Sequence, residues 1–301
     1  MTDLGTLGGS SYGTGCNNSG EVVGYFYLAD GVTSHAFTWT AATGMVDLGA
    51  PFGGSSAAYA VNDSGNLAGE LIDSAGQQVP GYWSPGTGWI QIGNNSPFDD
   101  HRNYGFGINN RNQVTGQIYS GEQVDAFFWE NGTFKEIPPL AGAGDSGGRA
   151  INNKIHVAGT STSAAAFVFI HTFWTASAGQ LSTGYDAGTS FATGLSLNDN
   201  DEMVGADVLS GGNATGFYWS ASAGHNDLMS AGGTVVYAYG INARGQIAGW
   251  SSLTGQTNNR AVVWPTYQSA PSSIGVLPGG TNSYSQGINN LGQVCGYSDV
   301  P

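Results

Sequence analysis

The sequence predicts an all-β propeller built from repeats of about 45 residues, with four short strands to a repeat. Three markers that recur in one phase predict it. Trp39, Trp83, Trp129, Trp174, Trp219 and Trp264 lie 44, 46, 45, 45 and 45 residues apart. Asn17, Asn62, Asn109, Asn152, Asn198, Asn242 and Asn289 lie 45, 47, 43, 46, 44 and 47 apart. An apolar–glycine segment keeps the same beat, as Asp3-Leu4-Gly5, Asp47-Leu48-Gly49, Gln91-Ile92-Gly93, Glu136-Ile137, Asp227-Leu228 and Ser273-Ile274-Gly275.

Each repeat reads as four elements in order. The first is an Asn strand, as in Tyr239-Gly240-Ile241-Asn242. A tight turn follows, in which Gly20, Gly65, Gly245 and Gly292 take a position that needs positive φ. Asn112 and Asp201, the next-best left-handed residues, hold that position in two other repeats. Ile155 breaks the rule, so its repeat is expected to have a different turn or local strain. The second strand carries Val-Gly, as in Glu21-Val22-Val23-Gly24-Tyr25. The third ends in Trp, as in His35-Ala36-Phe37-Thr38-Trp39. The fourth is Gly44-Met45-Val46-Asp47-Leu48-Gly49. Both faces of the Trp strand are apolar, with Phe37 and Trp39 on one and Phe128 and Tyr218 at positions of the other. A strand sandwiched between two neighbouring blades reads this way, whereas a strand with one wet face alternates. All six strand tryptophans are therefore expected between blades. No stretch sustains a helical period.

As a single domain over 1–301, the chain divides into units of about 2–46, 47–90, 91–135, 136–180, 181–226 and 227–272, with a partial unit at 273–301. Seven Asn strands, seven Val-Gly strands, seven Asp-Leu-Gly segments and six Trp strands make 27 strands, one short of seven four-stranded blades. Two closures fit. The last Asn and Val-Gly strands share a blade with the first Asp-Leu-Gly segment, leaving a gap, or a first blade at about 1–28 is three-stranded. A six-bladed ring with spare strands is the minor alternative.

Composition excludes several functions. Only 7 residues are Lys or Arg against 21 Asp or Glu, for a net charge of −14. That is too little clustered positive charge for nucleic acid or an anionic membrane surface. No apolar run is long enough to span a bilayer. Met1-Thr2-Asp3 enters the repeat at once, so no signal peptide is expected in this stretch. Cys16 and Cys295 are too few for a disulfide scaffold and occupy core-type positions. A bond between them across the closing seam is the alternative to two buried thiols.

The run Asp-Leu-Gly-Thr-Leu-Gly-Gly at 3–9, Asn-Asn-Ser-Gly-Glu-Val-Val-Gly at 17–24 and His35-Ala36-Phe37-Thr38-Trp39 resemble the HAF-repeat family of bacterial extracellular proteins. The resemblance covers essentially the whole chain. Only the first unit keeps the full tripeptide; Val79, Asp125, Ile170, Thr215 and Arg260 stand at its His position elsewhere. It implies a β-repeat fold and an extracellular or cell-surface location, and no particular reaction.

Catalytic motifs are absent. His35, His101, His156, His171 and His225 show no metal-ligand spacing, so no metal is expected from them. His171 stands at an otherwise small position and reads as a packing variant; His225 starts a loop with no partner visible. Asn198-Asp199-Asn200-Asp201-Glu202 is rich in oxygen, but aligns with the hairpin turns, so calcium is only a weak possibility and no cofactor is expected. The strongest departure from the repeat is a charged loop. Asp99, Asp100, His101, Arg102 and Tyr104, joined by Asp145, Arg149, Tyr185 and Asp186 from the next two units, are predicted to line a ligand site at one mouth of the ring. If there is catalysis, as a lyase or hydrolase on extracellular polysaccharide, His101 or Tyr104 would be acid or base and Arg102 would neutralise an acidic group. The leading expectation is a monomeric, non-catalytic binding or scaffold module for a glycan or surface protein. A structural segment of a larger surface protein is the third reading.

Overall fold

The computed structural model describes residues 1–93, 103–120, 123–162, 168–255 and 258–300. Every regular element among them is a β-strand, and there are 26. The first sheet contains β1 (Ser11–Cys16), β2 (Val22–Tyr27), β3 (Ser34–Thr40) and β4 (Gly44–Asp47), antiparallel and in chain order. The second has β5 (Gly53–Val61), β6 (Leu67–Asp73), β7 (Gln78–Ser84) and β8 (Gly88–Gln91). The third has β9 (Tyr104–Ile108), β10 (Val114–Ser120), β11 (Gln123–Glu130) and β12 (Thr133–Ile137). The fourth has β13 (Ser146–Ile151), β14 (Val157–Thr162), β15 (Phe169–Thr175) and β16 (Gly179–Ser182). The fifth has β17 (Thr189–Leu197), β18 (Met203–Leu209), β19 (Ala214–Ser220) and β20 (Gly224–Asp227). The sixth has β21 (Gly232–Ile241), β22 (Ile247–Leu253), β23 (Asn259–Trp264) and β24 (Ser272–Gly275). A last sheet has only β25 (Ser283–Ile288) and β26 (Val294–Ser298). Single parallel bridges, Phe169 to Phe191 and Ala214 to Val235, join the third strands of the fourth and fifth sheets to the first strands of the fifth and sixth.

The strand total is one below expectation because Asp3-Leu4-Gly5 forms no strand. Each sheet also runs from an Asn strand to an Asp-Leu-Gly strand, so the three-stranded first unit at about 1–28 does not form.

The repeated residues have separate mechanical reasons. A Cβ on Gly24, Gly69, Gly116, Gly159, Gly205, Gly249 or Gly296 would lie 1.8–2.0 Å from a carbonyl oxygen of the adjacent Asn strand. Only glycine allows that approach, which explains the Val-Gly marker. The turn position has φ between 64° and 82° in all seven repeats, Ile155 included at 67°. Ile155 thus adopts the same turn as the others, in a conformation that strains a β-branched residue.

The leading Asn of each turn does two jobs. The Asn109 Oδ1 accepts from the Arg111 and Gln113 backbone N–H at 3.0 and 3.1 Å, and its Nδ2 donates to the Asn152 carbonyl at 2.9 Å. The same side-chain-to-carbonyl bond runs Asn17 to Asn62, Asn62 to Asn109, Asn152 to Asn198, Asn198 to Asn242 and Asn242 to Asn289. Asn289 closes the circuit on the Asn17 carbonyl at 2.8 Å, across 272 residues of chain. The carboxylates of the oxygen-rich 198–202 turn are already engaged. Asp201 accepts from Asn152, Lys154 and His156, and Glu202 from Asn198 and Tyr218. Burial raises the Asp201 carboxyl, but these donors outweigh it and hold the group below the usual carboxylate range.

The core lies between sheets. Ala68 and Ile92 of the second sheet meet Val114, Phe127 and Trp129 of the third, and Val204 and Tyr218 of the fifth meet Ile247 and Trp264 of the sixth. The tryptophans are less uniform than the sequence predicts. Trp129, Trp174 and Trp264 are buried, while Trp39, Trp83 and Trp219 are half-buried. At the closing seam Cys16 and Cys295 are free, and the Cys16 thiol donates to the Gln293 carbonyl at 3.7 Å. The Cys16 thiol, together with burial, pushes the Cys295 thiol well up. Alkylation of denatured, unreduced protein should therefore label both cysteines; a mass with neither labelled would mean a bridge.

Candidate functional site

Asp99, Asp100, His101 and Arg102 lie outside the described residues. The other five predicted residues divide among three places. Tyr104 and Arg149 do come together, through Phe106. The Tyr104 ring stacks on Phe106 at 4.9 Å, and the Arg149 guanidinium sits 4.1 Å over the same ring. Arg149, Phe106 and Tyr59 are bulge residues of neighbouring Asn strands, each projecting where the ladder skips one residue. Burial lowers the Arg149 pKa, with the nearby tyrosine hydroxyls opposing it. Asp145 accepts the Val124 N–H at 3.0 Å and so fixes the start of β11. Tyr185 is exposed, and Asp186 belongs to a different cluster.

That cluster of histidines and carboxylates joins the fourth and fifth sheets. His171 of β15 is 0% exposed, as is Asp207 of β18, and their Nε2 and Oδ1 atoms are 3.3 Å apart. The His225 Nε2, on β20, lies 3.6 Å from Asp186, 3.6 Å from Asp207 and 3.5 Å from Asp227. The two imidazoles are parallel within 4°, 5.2 Å apart, with the Phe217 ring against both. Burial lowers the His171 pKa, against the pull of Asp207, and burial with the neighbouring Asp227 and Asp207 raises Asp186. His171 is thus no mere packing variant, and His225 has three carboxylate neighbours. The signal that points to them is symmetry breaking inside strands rather than loops. His171 stands where other repeats have Ala36, Ala126, Gly216 and Ala261. Asp207 replaces Phe26, Leu71 and Ile118, and His225 replaces Met45, Trp89 and Phe134.

An open cleft lies elsewhere. A cleft of about 1060 Å³ separates β26 from the first ten residues, with Ala261 and Ile274 of the sixth sheet and Phe37 of the first along its walls. Among the described residues, β26 pairs only with β25, so its other edge faces this cleft. The far side is held by Asp3-Leu4-Gly5. The Ser11 hydroxyl donates to the Gly5 carbonyl at 3.0 Å, as Ser56 does to Gly49 at 2.7 Å and Ser146 to Ile137 at 3.0 Å. Gly5 N–H is turned onto Asp3 at 2.9 Å, as Gly49 N–H is onto Asp47 at 2.7 Å. The first residues therefore imitate the end of a fourth strand for the two-stranded last sheet, and the place between them, where every other sheet has its Trp strand, is open.

Neither protein-family models nor curated proteins give a match to this chain. Solved structures do. The chain is similar to the β-propeller domain of the Trilobed protease from Pyrococcus furiosus, described as having an open velcro topology, with a TM-score of 0.57 at 8% identity over 87% of this chain and 80% of that one. TolB from Acinetobacter baumannii matches with a TM-score of 0.56 at 10% identity, over 81% of this chain; the match spans 60% of TolB. The BP39L lectin from Burkholderia pseudomallei matches with a TM-score of 0.52 at 12% identity, over 85% and 81% of the two chains. At these identities the likeness concerns the fold, and the fold is that of β-propellers built from four-stranded antiparallel sheets.

Proposed function

We propose that the chain forms a seven-bladed propeller whose last sheet has two strands among the described residues, and that it acts as a non-catalytic binding module whose site is the open place beside β26. The closed circuit of seven asparagines supports the blade number. The occupant is an extended segment with the pattern Ala-Phe-x-Trp, added as a strand to the edge of β26. The observation that carries this is internal: the protein shows what such a place holds in its other sheets. In β3, β11 and β23 the backbone N–H of Ala36, Ala126 and Ala261 donates to a serine hydroxyl of the following sheet at 2.9, 2.9 and 3.0 Å. Ser11 is the equivalent serine beside the cleft. In β3, β11 and β19 a phenylalanine ring lies on the Val-Gly glycine, 3.0 Å from where the Gly24 Cβ would be and 2.7 Å for Gly116 and Gly205. Gly296 keeps that glycine, and the three atoms nearest its Cβ position are all backbone. A secreted or surface location fits the HAF-repeat resemblance and the 9% content of charged residues.

A peptide copying β3, Ser-His-Ala-Phe-Thr-Trp-Thr, is the probe, titrated by calorimetry. Saturable 1:1 binding is expected, weakened about tenfold or more when the peptide's Phe is replaced by Ala, and weakened in Ser11→Ala protein. No binding at millimolar peptide to folded protein, or equal binding of a scrambled peptide, overturns the reading. Fusing the same seven residues after residue 301 is the second arm. Stabilisation by the fused strand, with no binding of the free peptide, would make the occupant a part of the same chain and the protein no receptor.

A further inference from the structure

We propose that His171, Asp207 and His225, with Asp186 and Asp227 beside them, form a binding site for one divalent transition-metal ion of the zinc class, held by the first three and pinning the fourth sheet to the fifth. The ligating atoms of His171, Asp207 and His225 all lie within 4.8 Å of one another, as do those of Asp186, His225 and Asp227.

The Thr183 hydroxyl lies within hydrogen-bond distance of the His171 Nδ1 and donates to the His171 carbonyl at 3.3 Å, which fixes the ring. The His171 Nε2 on its other side faces an Asp207 carboxylate oxygen 3.3 Å away. Neither the His171 Nε2 nor the Asp207 Oδ1 has a hydrogen-bond partner, although both residues are 0% exposed. Both His225 ring nitrogens are likewise buried and without a hydrogen-bond partner. Its Nε2 has three carboxylates at 3.5–3.6 Å, and one N–H can point at only one of them. Orphaned buried polar atoms are costly. A cation among them gives these atoms a partner.

The spacing fits an ion rather than direct hydrogen bonds. Tetrahedral zinc, with bonds of about 2.0–2.1 Å, sets its ligand atoms about 3.3–3.4 Å apart, and the Asp207 carboxylate has one oxygen 3.3 Å from the His171 Nε2 and the other 3.6 Å from the His225 Nε2. Two imidazoles with carboxylates suit zinc and its neighbours better than calcium, which takes oxygen only. The outer contacts are those of a metal site: Thr183 orients His171, and the Asp186 N–H donates to the Asp207 Oδ2 at 2.9 Å. Asp227, with its side chain 58% exposed, leaves a path in from solvent.

The test uses the whole chain, stripped with a chelator, dialysed and titrated with Zn²⁺, Co²⁺ and Ca²⁺. One equivalent of Zn²⁺ is expected to bind at micromolar or tighter affinity, with a rise in melting temperature that a chelator reverses. Co²⁺ should give the intense visible absorption of a tetrahedral nitrogen–oxygen site. Because His171 and Asp207 are fully buried, the diagnostic variants are His225→Gln and Asp227→Asn, which are partly exposed and leave the core intact. His225→Gln should weaken Zn²⁺ binding at least a hundredfold, and Asp227→Asn by less, with unchanged circular dichroism. Absence of stoichiometric Zn²⁺ uptake, preference for Ca²⁺, or uptake unaltered in the His225→Gln, Asp227→Asn double variant overturns the site. The strand-accepting cleft involves none of these residues, so peptide binding and metal binding succeed or fail separately.

Discussion

Replacing Trp264 by Ala should destabilise the protein by about 3–5 kcal/mol, the range for removing a large aromatic from a packed core. Trp264 is 0% exposed and lies among Val204, Tyr218, Ile247 and Val262, residues of two different sheets. Its indole N–H also donates to the Met229 carbonyl at 2.8 Å, and Ala would leave that carbonyl unserved. Losing the ring opens a cavity between sheets whose positions are fixed by their neighbours on both sides, so the void cannot close by a local shift. Trp39 has the same place in its repeat but is half-buried. Trp39→Ala should cost less than half as much. Equilibrium urea unfolding of the two variants checks both statements. A loss below about 1 kcal/mol for Trp264→Ala would mean that the ring does not carry the contact between the fifth and sixth sheets.

The same pair of residues shows why the sequence conveys the repeat better than its departures. The Trp spacing, the glycine turns and the Val-Gly strands are imposed by local geometry that every unit shares, and such constraints print a period on the chain. Ile155 is the instructive exception, since its side chain argues for another turn, yet the hydrogen bonds of Asn152 to Lys154 and His156 hold the common one. Burial at the tryptophans depends on what lies on the far side of each sheet, which no unit records about itself. The His–Asp cluster is harder still. Its members come from strands of two sheets and one connecting loop, so they have none of the short spacings that mark a metal motif on a single element. Asp186 was legible only as a charged loop residue. His171, Asp207 and His225 become conspicuous when each is compared with its counterparts in the other repeats, where nearly every counterpart is small or apolar. Of the predicted mouth, the described residues yield a Tyr104–Phe106–Arg149 stack, which is a contact of the inner strands.

Asn109→Ala is expected to cost about 2–4 kcal/mol, since one side chain makes four hydrogen bonds at roughly 0.5–1.5 kcal/mol each. Its Oδ1 serves the Arg111 and Gln113 N–H groups and its Nδ2 serves the Gln113 Oε1 and the Asn152 carbonyl. The residue is 4% exposed, so water cannot replace these partners without opening the turn. The carbonyl of Asn152 belongs to the next sheet, and Asn62 donates to the Asn109 carbonyl from the previous one. The substitution therefore breaks a link in a circuit as well as a turn. Asn110→Ala, one residue on and exposed, removes only peripheral bonds to Asp63 and should cost under about 1 kcal/mol. A second consequence separates the circuit from the turn. Asn289→Ala removes the same turn bonds but cuts the link that joins the last sheet to the first. If the circuit matters, hydrogen exchange in Asn289→Ala should rise in β1 and β26 together, on both sides of the seam, while Asn109→Ala should leave that seam protected. Equal exchange patterns in the two variants would reduce the asparagines to independent turn caps, and the closed circuit would then contribute nothing beyond the sum of its turns.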